Sequence, residues 1–405
     1  MKNPNIAKAA ALTLIVAALM PIRANANSGD RYVSNDTKRP SNGAIHDYAT
    51  AMQPTITTFD VPGAGTLPGQ GTVPQSINPD RSIVGFIRDA GVPSGTARRG
   101  FLRDKNGTTT VFDAPGAGTD DFEGTRAYGI NPGGAIAGWF IVSGGSYVVH
   151  AYLRAPNGSF TIFDAPGAGT GPYPQGTFPF SPYGINPGGA ITGYSTDASN
   201  VSHGFLRAPG GTFATFDVPG AGTGDGQGTF PGGINPNGAI TGYYVDSSDV
   251  FHGFVRAKDG TITPFDAPGV GTDPFQGTFP AGINPEGAIT GDYLDSSYTN
   301  HGFLRDSNGT ITPFDAPGGG TGDDRGTLAA SINTNGAITG FIFDSSYVFH
   351  GFLRAKDGTI TPFDAPGVGT DPGQGTVPGA IALDGAITGY YVDSSDVYHG
   401  FVRNP

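Results

Sequence analysis

The sequence predicts an all-β fold, a seven-bladed β-propeller of four-stranded antiparallel blades whose ring closes by pairing of the N- and C-terminal strands. Three observations predict it. A four-part motif recurs seven times between residue 55 and the end of the chain. Each part is a short run rich in Ile, Val, Phe, Tyr and Thr, set off by Gly, Pro, Asn, Asp or Ser, which is the composition of strands and turns. The first and last segments are complementary pieces of one repeat.

The clearest landmark is Phe-Asp followed by Ala/Val-Pro-Gly, at Phe59, Phe112, Phe163, Phe216, Phe265, Phe314 and Phe363, with spacings of 53, 51, 53, 49, 49 and 49. An Ile segment such as Gly233-Ile234-Asn235 comes next, then one like Gly238-Ala239-Ile240-Thr241-Gly242-Tyr243-Tyr244, then one like His252-Gly253-Phe254-Val255-Arg256. Asn235-Pro236-Asn237-Gly238 and Asp246-Ser247-Ser248-Asp249 read as tight turns, and Asp259-Gly260 as a two-residue primed turn. That turn would set Phe254 opposite Phe265 and Gly253 opposite Asp266. Only the stretch from Phe-Asp to the next Ile segment, as in Pro268 to Phe279, is long enough to cross between blades. The Ile segment is therefore innermost and the Phe-Asp segment outermost. Pro264, Pro313 and Pro362 in the Phe-Asp strand suit an edge, because proline cannot donate to a neighbour.

Closure follows from the ends. The chain starts this pattern with Thr55 to Asp60, an outer strand without its hairpin partner, and stops with His399 to Arg403, a third strand without its outer one. Joined, they complete a blade and leave that edge paired. An open β-solenoid gives no reason to split a unit this way.

Composition agrees with a repeat array. Gly (68) and Pro (34) make up about a quarter of the 405 residues, and their periodicity makes them turn residues rather than a low-complexity tract. Cysteine is absent, so burial and strand pairing must hold the fold. Residues 1–26 carry Lys2 and Lys8, an apolar run from Ala9 to Met20, and Ala24-Asn25-Ala26, the pattern of a secretory signal peptide. Residues 27–54 read as a flexible leader and 55–405 as the seven-repeat domain, with no membrane span in the mature chain. Loss of 1–26 removes Lys2, Lys8 and Arg23 and no acid, moving the formal net charge from −12 to −15. Such a surface disfavours nucleic acid and suits cations, neutral glycans or basic partners.

The combination of His-Gly-Phe-Leu-Arg, a Gly turn, Phe-Asp-Ala-Pro-Gly and Gly-Ile-Asn-Pro-x-Gly-Ala-Ile-Thr-Gly resembles the HAF family of extracellular repeats in bacterial exported proteins, over essentially all of 55–405. It departs by placing Gly after the His except at His150-Ala151-Tyr152, and Arg99 stands where the first His belongs. The resemblance implies an exported protein of the periplasm, cell surface or medium, and brings no catalytic residues with it.

Six of the seven histidines (His150, His203, His252, His301, His350 and His399) fall at the start of the third strand. Pairing across the outer hairpin brings them near the Phe-Asp carboxylates, giving His203–Asp217, His252–Asp266, His301–Asp315 and His350–Asp364 as structural pairs. They lie too far from the axis to converge on one metal ion. Asp246, Asp249, Asp295, Asp344, Asp393 and Asp396 occupy the turn between second and third strands, at the same end as the crossover acids Asp225, Asp273, Asp323, Asp324 and Asp371. Asx turns on a solvated face account for them; the same acids are the candidates for a ligand or Ca2+ site, although no calcium-loop ladder is present. No cofactor is otherwise expected. Trp139, Tyr243, Tyr244, Tyr293, Tyr390 and Tyr391 read as packing between blades, with sugar stacking as the alternative. Arg103, Arg154, Arg207, Arg256, Arg305, Arg354 and Arg403 read as solvating the opposite end or pairing with nearby acids, each pair worth little. No nucleophile elbow or Cys nucleophile occurs.

The uniformity of the repeats favours a monomeric, non-catalytic exported binding module for a glycan, cell-surface component or protein. A propeller enzyme, a lyase or glycan hydrolase using His and carboxylates, and a structural exoprotein are the alternatives. The enzyme would show a His–carboxylate pair at the axis.

Overall fold

The structure is a computed structural model that describes residues 54–88, 97–144 and 147–405. The expected signal peptide and the leader up to residue 53 lie outside the described residues.

All 28 strands among the described residues belong to one sheet, in repeated units of consecutive antiparallel strands that close on themselves in a propeller-like ring. In the fourth unit, Gly228–Ile234, Ile240–Val245, Phe251–Arg256 and Ile262–Phe265 pair in chain order. The two inner strands are covered on both faces by the neighbouring units, so they read as near-continuous apolar runs; Ile136–Ile141, IAGWFI, is buried at every residue. The fourth strand pairs on one side only, and Pro264 sits there opposite Phe254.

The outer hairpin departs from the expected register by one residue. Gly253 faces Phe265 and Phe254 faces Pro264, because the turn spans three residues instead of two. Ala257 N donates to Thr261 O at 2.8 Å and Gly260 N to Ala257 O at 3.0 Å, with Gly260 at φ +96°. This is a type I turn closed by a left-handed residue. The shift matters, since continuing this register by one residue places His252 directly across from Asp266. The turns after Asn235 and Asp246 carry the same bond pattern.

Consecutive units are joined at one glycine. Gly277 opens the first strand of the fifth unit and bridges in parallel to Phe251 of the unit before, while Phe251 N donates to Gln276 O at 2.9 Å. A Cβ at Gly277 would lie 2.0 Å from the Phe251 carbonyl oxygen, and its φ is +145°. The next residue adds a latch: Thr278 Oγ1 accepts from Ala267 N at 3.0 Å, and the equivalent bond recurs at Thr72, Thr125, Thr177, Thr229, Thr327 and Thr376. These two contacts explain why Gly-Thr follows every crossover.

The third-strand arginines do not simply solvate their end of the ring. Each lies over the Phe of the preceding unit's outer strand, from Arg103 over Phe59 at 4.7 Å to Arg403 over Phe363 at 5.1 Å. A cation above an aromatic face is attracted by the ring quadrupole, so these residues tie unit to unit. Asparagine side chains form a second inter-unit series near the axis. Nδ2 of Asn78, Asn131, Asn186, Asn235, Asn284 and Asn333 each donates to the backbone carbonyl at the matching position of the next unit. The series ends at Ala382, which has no amide to offer.

The termini complete the ring. Ile56–Phe59 pairs antiparallel with Tyr398–Arg403, Ile56 against Arg403 and Phe59 against Gly400, and Tyr398 bridges to Gly71 of the first unit. Asn404 N donates to Thr55 O at 2.8 Å, replacing the bond that a covalent turn makes elsewhere.

Gly277→Ala should lower stability by about 2 kcal/mol or more, because both the left-handed backbone and the carbonyl contact oppose a side chain. A fall in the thermal midpoint with unchanged far-UV circular dichroism is the expected result, and an unaltered midpoint would contradict the junction role.

Candidate functional site

Where the units converge on the ring axis they enclose a cavity of about 390 Å3, lined by residues of all seven units. Two repeat positions supply its wall in the third to sixth units: the third residue of the first strand (Phe230, Phe279, Leu328) and the fourth of the second (Tyr194, Tyr243, Asp292). Pairing sets Phe230 opposite Tyr243 and Phe279 opposite Asp292. Ring contacts run continuously along this wall. Tyr194 meets Phe230 edge-on at 5.1 Å, Phe230 stacks on Tyr243 at 5.0 Å, and Tyr243 meets Phe279 at 5.9 Å.

Asp292 interrupts this wall. Its position is aromatic in the other units, where it is Phe86, Trp139, Tyr194, Tyr243, Phe341 and Tyr390. Solvent reaches its side chain through the cavity, yet protein surrounds it closely enough that burial pushes its carboxyl up to about 8. Among the described residues no hydrogen bond or ion pair offsets that cost. Asn300, also on the wall, is 1% exposed and donates Nδ2 to Asp324 O at 2.6 Å.

The third unit closes the inner end. Thr177 to Ile185 spans eight residue steps where Thr229 to Ile234 spans five, and the extra residues of Phe180–Tyr183 turn into the axis. Tyr183 O accepts from Ile234 N at 3.0 Å, Pro182 O accepts from Ser76 Oγ at 3.2 Å, and the Tyr183 ring packs against Gly282. The segment thus touches the first, fourth and fifth units at once. The outer rim is formed by crossovers and second turns, including Tyr173, Asn200, Asp225, Asp249 and Phe275. Tyr173 is 46% exposed.

The histidines stand apart from this cavity, on the third strands. His203, His252, His301 and His350 place Nδ1 2.9, 3.0, 2.8 and 2.9 Å from Asp217, Asp266, Asp315 and Asp364. His150 and His399 pair likewise with Asp164 and Asp60, and Arg99 Nε meets Asp113 at 2.9 Å. The second ring nitrogen faces the turn aspartate: His301 Nε2 is 3.4 Å from Asp295 and His399 Nε2 3.4 Å from Asp393. Longer approaches of 3.6 and 3.7 Å link His252 to Asp246 and His350 to Asp344.

The turn aspartates are engaged by their own backbone. Oδ1 of Asp246, Asp295, Asp344 and Asp393 accepts from the N–H groups two and four residues on. Asp249 and Asp396 sit at φ 62° and 61° and accept from Gln227 and Gln374. Of these six, only Asp249 lines the cavity. Among the described residues no group of three or more His, Cys, Asp or Glu is placed to hold a metal ion.

Three buried arginines lie near the first and second units. Arg88 stacks on Tyr398 at 4.2 Å and Arg126 on Trp139 at 4.2 Å. Burial, reinforced by Arg126 and Arg88, holds Arg98 well below the usual guanidinium range, and burial takes Arg126 down to about 10.

Comparison with known proteins gives no family. No family profile matches the chain, and no curated protein sequence does. Among solved structures, a puromycin hydrolase aligns with TM-score 0.49 at 13% identity over 80% of this chain, which spans about half (50%) of the hydrolase chain. The BP39L lectin from Burkholderia pseudomallei aligns with TM-score 0.46 at 12% identity, over 82% of this chain and 96% of the lectin. A six-bladed β-propeller lectin of Aleuria aurantia that recognises fucose aligns with TM-score 0.36 at 13% identity, over 68% of this chain and 89% of the lectin. At these scores the likenesses do not decide what this chain binds. No described helix is long and apolar enough to cross a membrane.

Sequence reasoning missed Asp292 and the Phe180–Tyr183 segment. Both were detectable as exceptions: a carboxylate in a column of aromatic residues, and an insertion inside a strand instead of in a crossover.

Two pH effects follow. Because the folded Asp292 carboxyl lies above its ordinary value, its contribution is fully present below about pH 4 and is lost as pH rises toward about 8. Asp292→Asn should therefore raise the thermal midpoint in alkaline buffer and leave it nearly unchanged at acid pH. His399 is held above its ordinary value, first by its hydrogen bond to Asp60, so the terminal latch is strongest below about pH 6.5 and weakens as pH rises through the folded value. His399→Gln should cost stability in mildly acid buffer and little in alkaline buffer. Thermal melts of the two variants across pH check both signs.

Proposed function

We propose that this chain is an exported, non-catalytic binding module, a seven-bladed β-propeller of the HAF type, which takes a glycan or a similar small group of a cell-surface component in the axial cavity. The observation that carries this reading is the cavity itself. It is the place where all seven units contribute to one space, and it is where the repeat departs from uniformity, at Asp292 and at Phe180–Tyr183. Stacked ring faces with a few convergent polar groups are the usual composition of a small-molecule site. The four-strand meanders, their common register and the shared junction glycines support the seven-bladed description. The signal-like N-terminal segment supports export.

The enzyme alternative asked for a histidine beside a carboxylate at the axis. The axial carboxylate is Asp292, whereas the described histidines sit on third strands with structural aspartates. An acid without a paired base or nucleophile favours binding over turnover.

Glycan-array screening of the mature chain, followed by titration of the hits, tests the proposal. Tyr243→Ala and Phe230→Ala should each weaken binding by about tenfold, the loss expected for a ring face, while Asp357→Asn in an outer turn should leave it unchanged. Saturable binding that ignores both ring variants would move the site elsewhere, and turnover of a bound glycan would establish the enzyme.

A further inference from the structure

We propose that the axial cavity binds an organic ammonium ion, with Asp292 as its counter-ion and the faces of Tyr194, Phe230, Tyr243 and Phe279 around it. This deepens the binding-module reading and rests on it.

The charged side chains that line the cavity are Asp225, Asp249 and Asp292; no Lys, Arg or His is among the lining residues. The wall itself carries three acids and no base, the nearest cations being Arg98 and Arg126 behind Tyr128 and Tyr173 on the second-unit side, so an ionised Asp292 is a negative charge that no lining residue neutralises. Ring faces add to it, since their quadrupole attracts a cation placed over them. A carboxylate stranded where six sister positions carry rings costs the fold stability, and the partner it lacks is a positive charge.

Bare metal ions fit poorly. Calcium takes six to eight oxygens, and no cluster of three or more ligating residues forms here among those described. An alkylated ammonium needs one carboxylate and apolar contact, which this wall supplies. Because the Asp292 carboxyl is raised by burial, ligand binding near neutral pH must also expel its proton. The other titratable groups around the cavity are Tyr128, Tyr173, Tyr194, Tyr243, Asp225 and Asp249. Tyr128 and Tyr194 are held above their ordinary range by burial, and Arg126 and Arg98 stand behind Tyr128 and Tyr173 on that side. Burial thus keeps those two phenols neutral, and Asp292 is the wall carboxyl whose raised value supplies the proton.

Isothermal titration of the mature chain with two matched pairs tests this: cyclohexylammonium against cyclohexanol, and glucosamine against glucose. The cation of at least one pair should bind about tenfold or more tighter than its neutral partner, the pair that responds telling a plain amine from an amino sugar. With cyclohexylammonium, which keeps its charge as a lysine ammonium does, titration in buffers of different ionisation heat should register about one proton released per cation near neutral pH and almost none around pH 9, where the carboxyl is already ionised. Asp292→Asn should abolish the preference and the proton release while leaving the neutral ligand's affinity unchanged. Tyr243→Leu, which keeps the carboxylate, should weaken the cation more than its neutral partner. Equal affinity within both pairs, or a preference that survives Asp292→Asn in a folded variant, overturns the proposal. If no probe binds while neutral glycans score on the array, the ammonium assignment falls and the binding module stands. If array and probes are both blank, the two fall together.

Discussion

The pairing of Ile56–Phe59 with Tyr398–Arg403 is the constraint on which everything else rests. A single unit of this repeat has apolar inner strands on both faces and unpaired strand edges, so it cannot be stable alone. Every other junction between units is supported by continuous chain, whereas this unit is assembled from segments some 340 residues apart, as the His399–Asp60 contact shows. With no cysteine in the sequence, the join relies on backbone bonds, the His399–Asp60 pair and the Arg88–Tyr398 stack. Once it forms, the axis becomes a cavity lined on all sides and open at its outer rim. A cavity lined by all seven units exists only in the closed ring.

The repeated interactions divide between those that tolerate exceptions and those that do not. The junction glycine and its threonine latch occur in every unit, because a side chain at that glycine would overlap the preceding carbonyl. The outer His–Asp pair admits a substitute, since the Arg99 guanidinium meets Asp113 at 2.9 Å and serves as an equivalent donor. The asparagine series tolerates loss of a link: Ala382 contributes its carbonyl to Asn333 but no amide of its own. Its turn is pinned instead by Asp384, whose Oδ1 accepts from Ala386 N at 3.0 Å. Arg81 of the first unit reaches the same aspartate, so an exposed ion pair spans the seam where the buried series stops.

Much of the architecture was legible in the sequence because each element carries its own local reason. Turn residues mark the strand ends, edge prolines mark the outer strand, and the split unit at the termini signals closure. The register of the outer hairpin was not legible from Asp259-Gly260 alone, since the same dipeptide closes a two-residue or a three-residue loop, and only the Ala257–Thr261 bond distinguishes them. The arginines were misread because the ring each one covers belongs to the preceding unit, a relation that spacing within one repeat cannot reveal. At the site the difficulty was reversed. Attention to what recurs led to the turn aspartates, which recur because backbone N–H groups need them, and led away from Asp292, which does not.

That contrast bears on where a repeat ring can hold one ligand. A residue repeated around the ring points to as many separate places as there are units, and at the rim these lie far apart. Only near the axis do equivalent positions come within reach of one another, so there a single exception faces the remaining units. Asp292 needs no partner exception to matter: Phe230, Tyr243 and Phe279 are ordinary members of the repeat, yet they line the same cavity as a carboxylate that none of them can neutralise. The insertion at Phe180–Tyr183 has a similar economy, since one lengthened strand end closes a channel that the repeat alone would leave open. A uniform scaffold can therefore acquire a specific cavity with two local changes, both in places where the rest of the ring already supplies the walls.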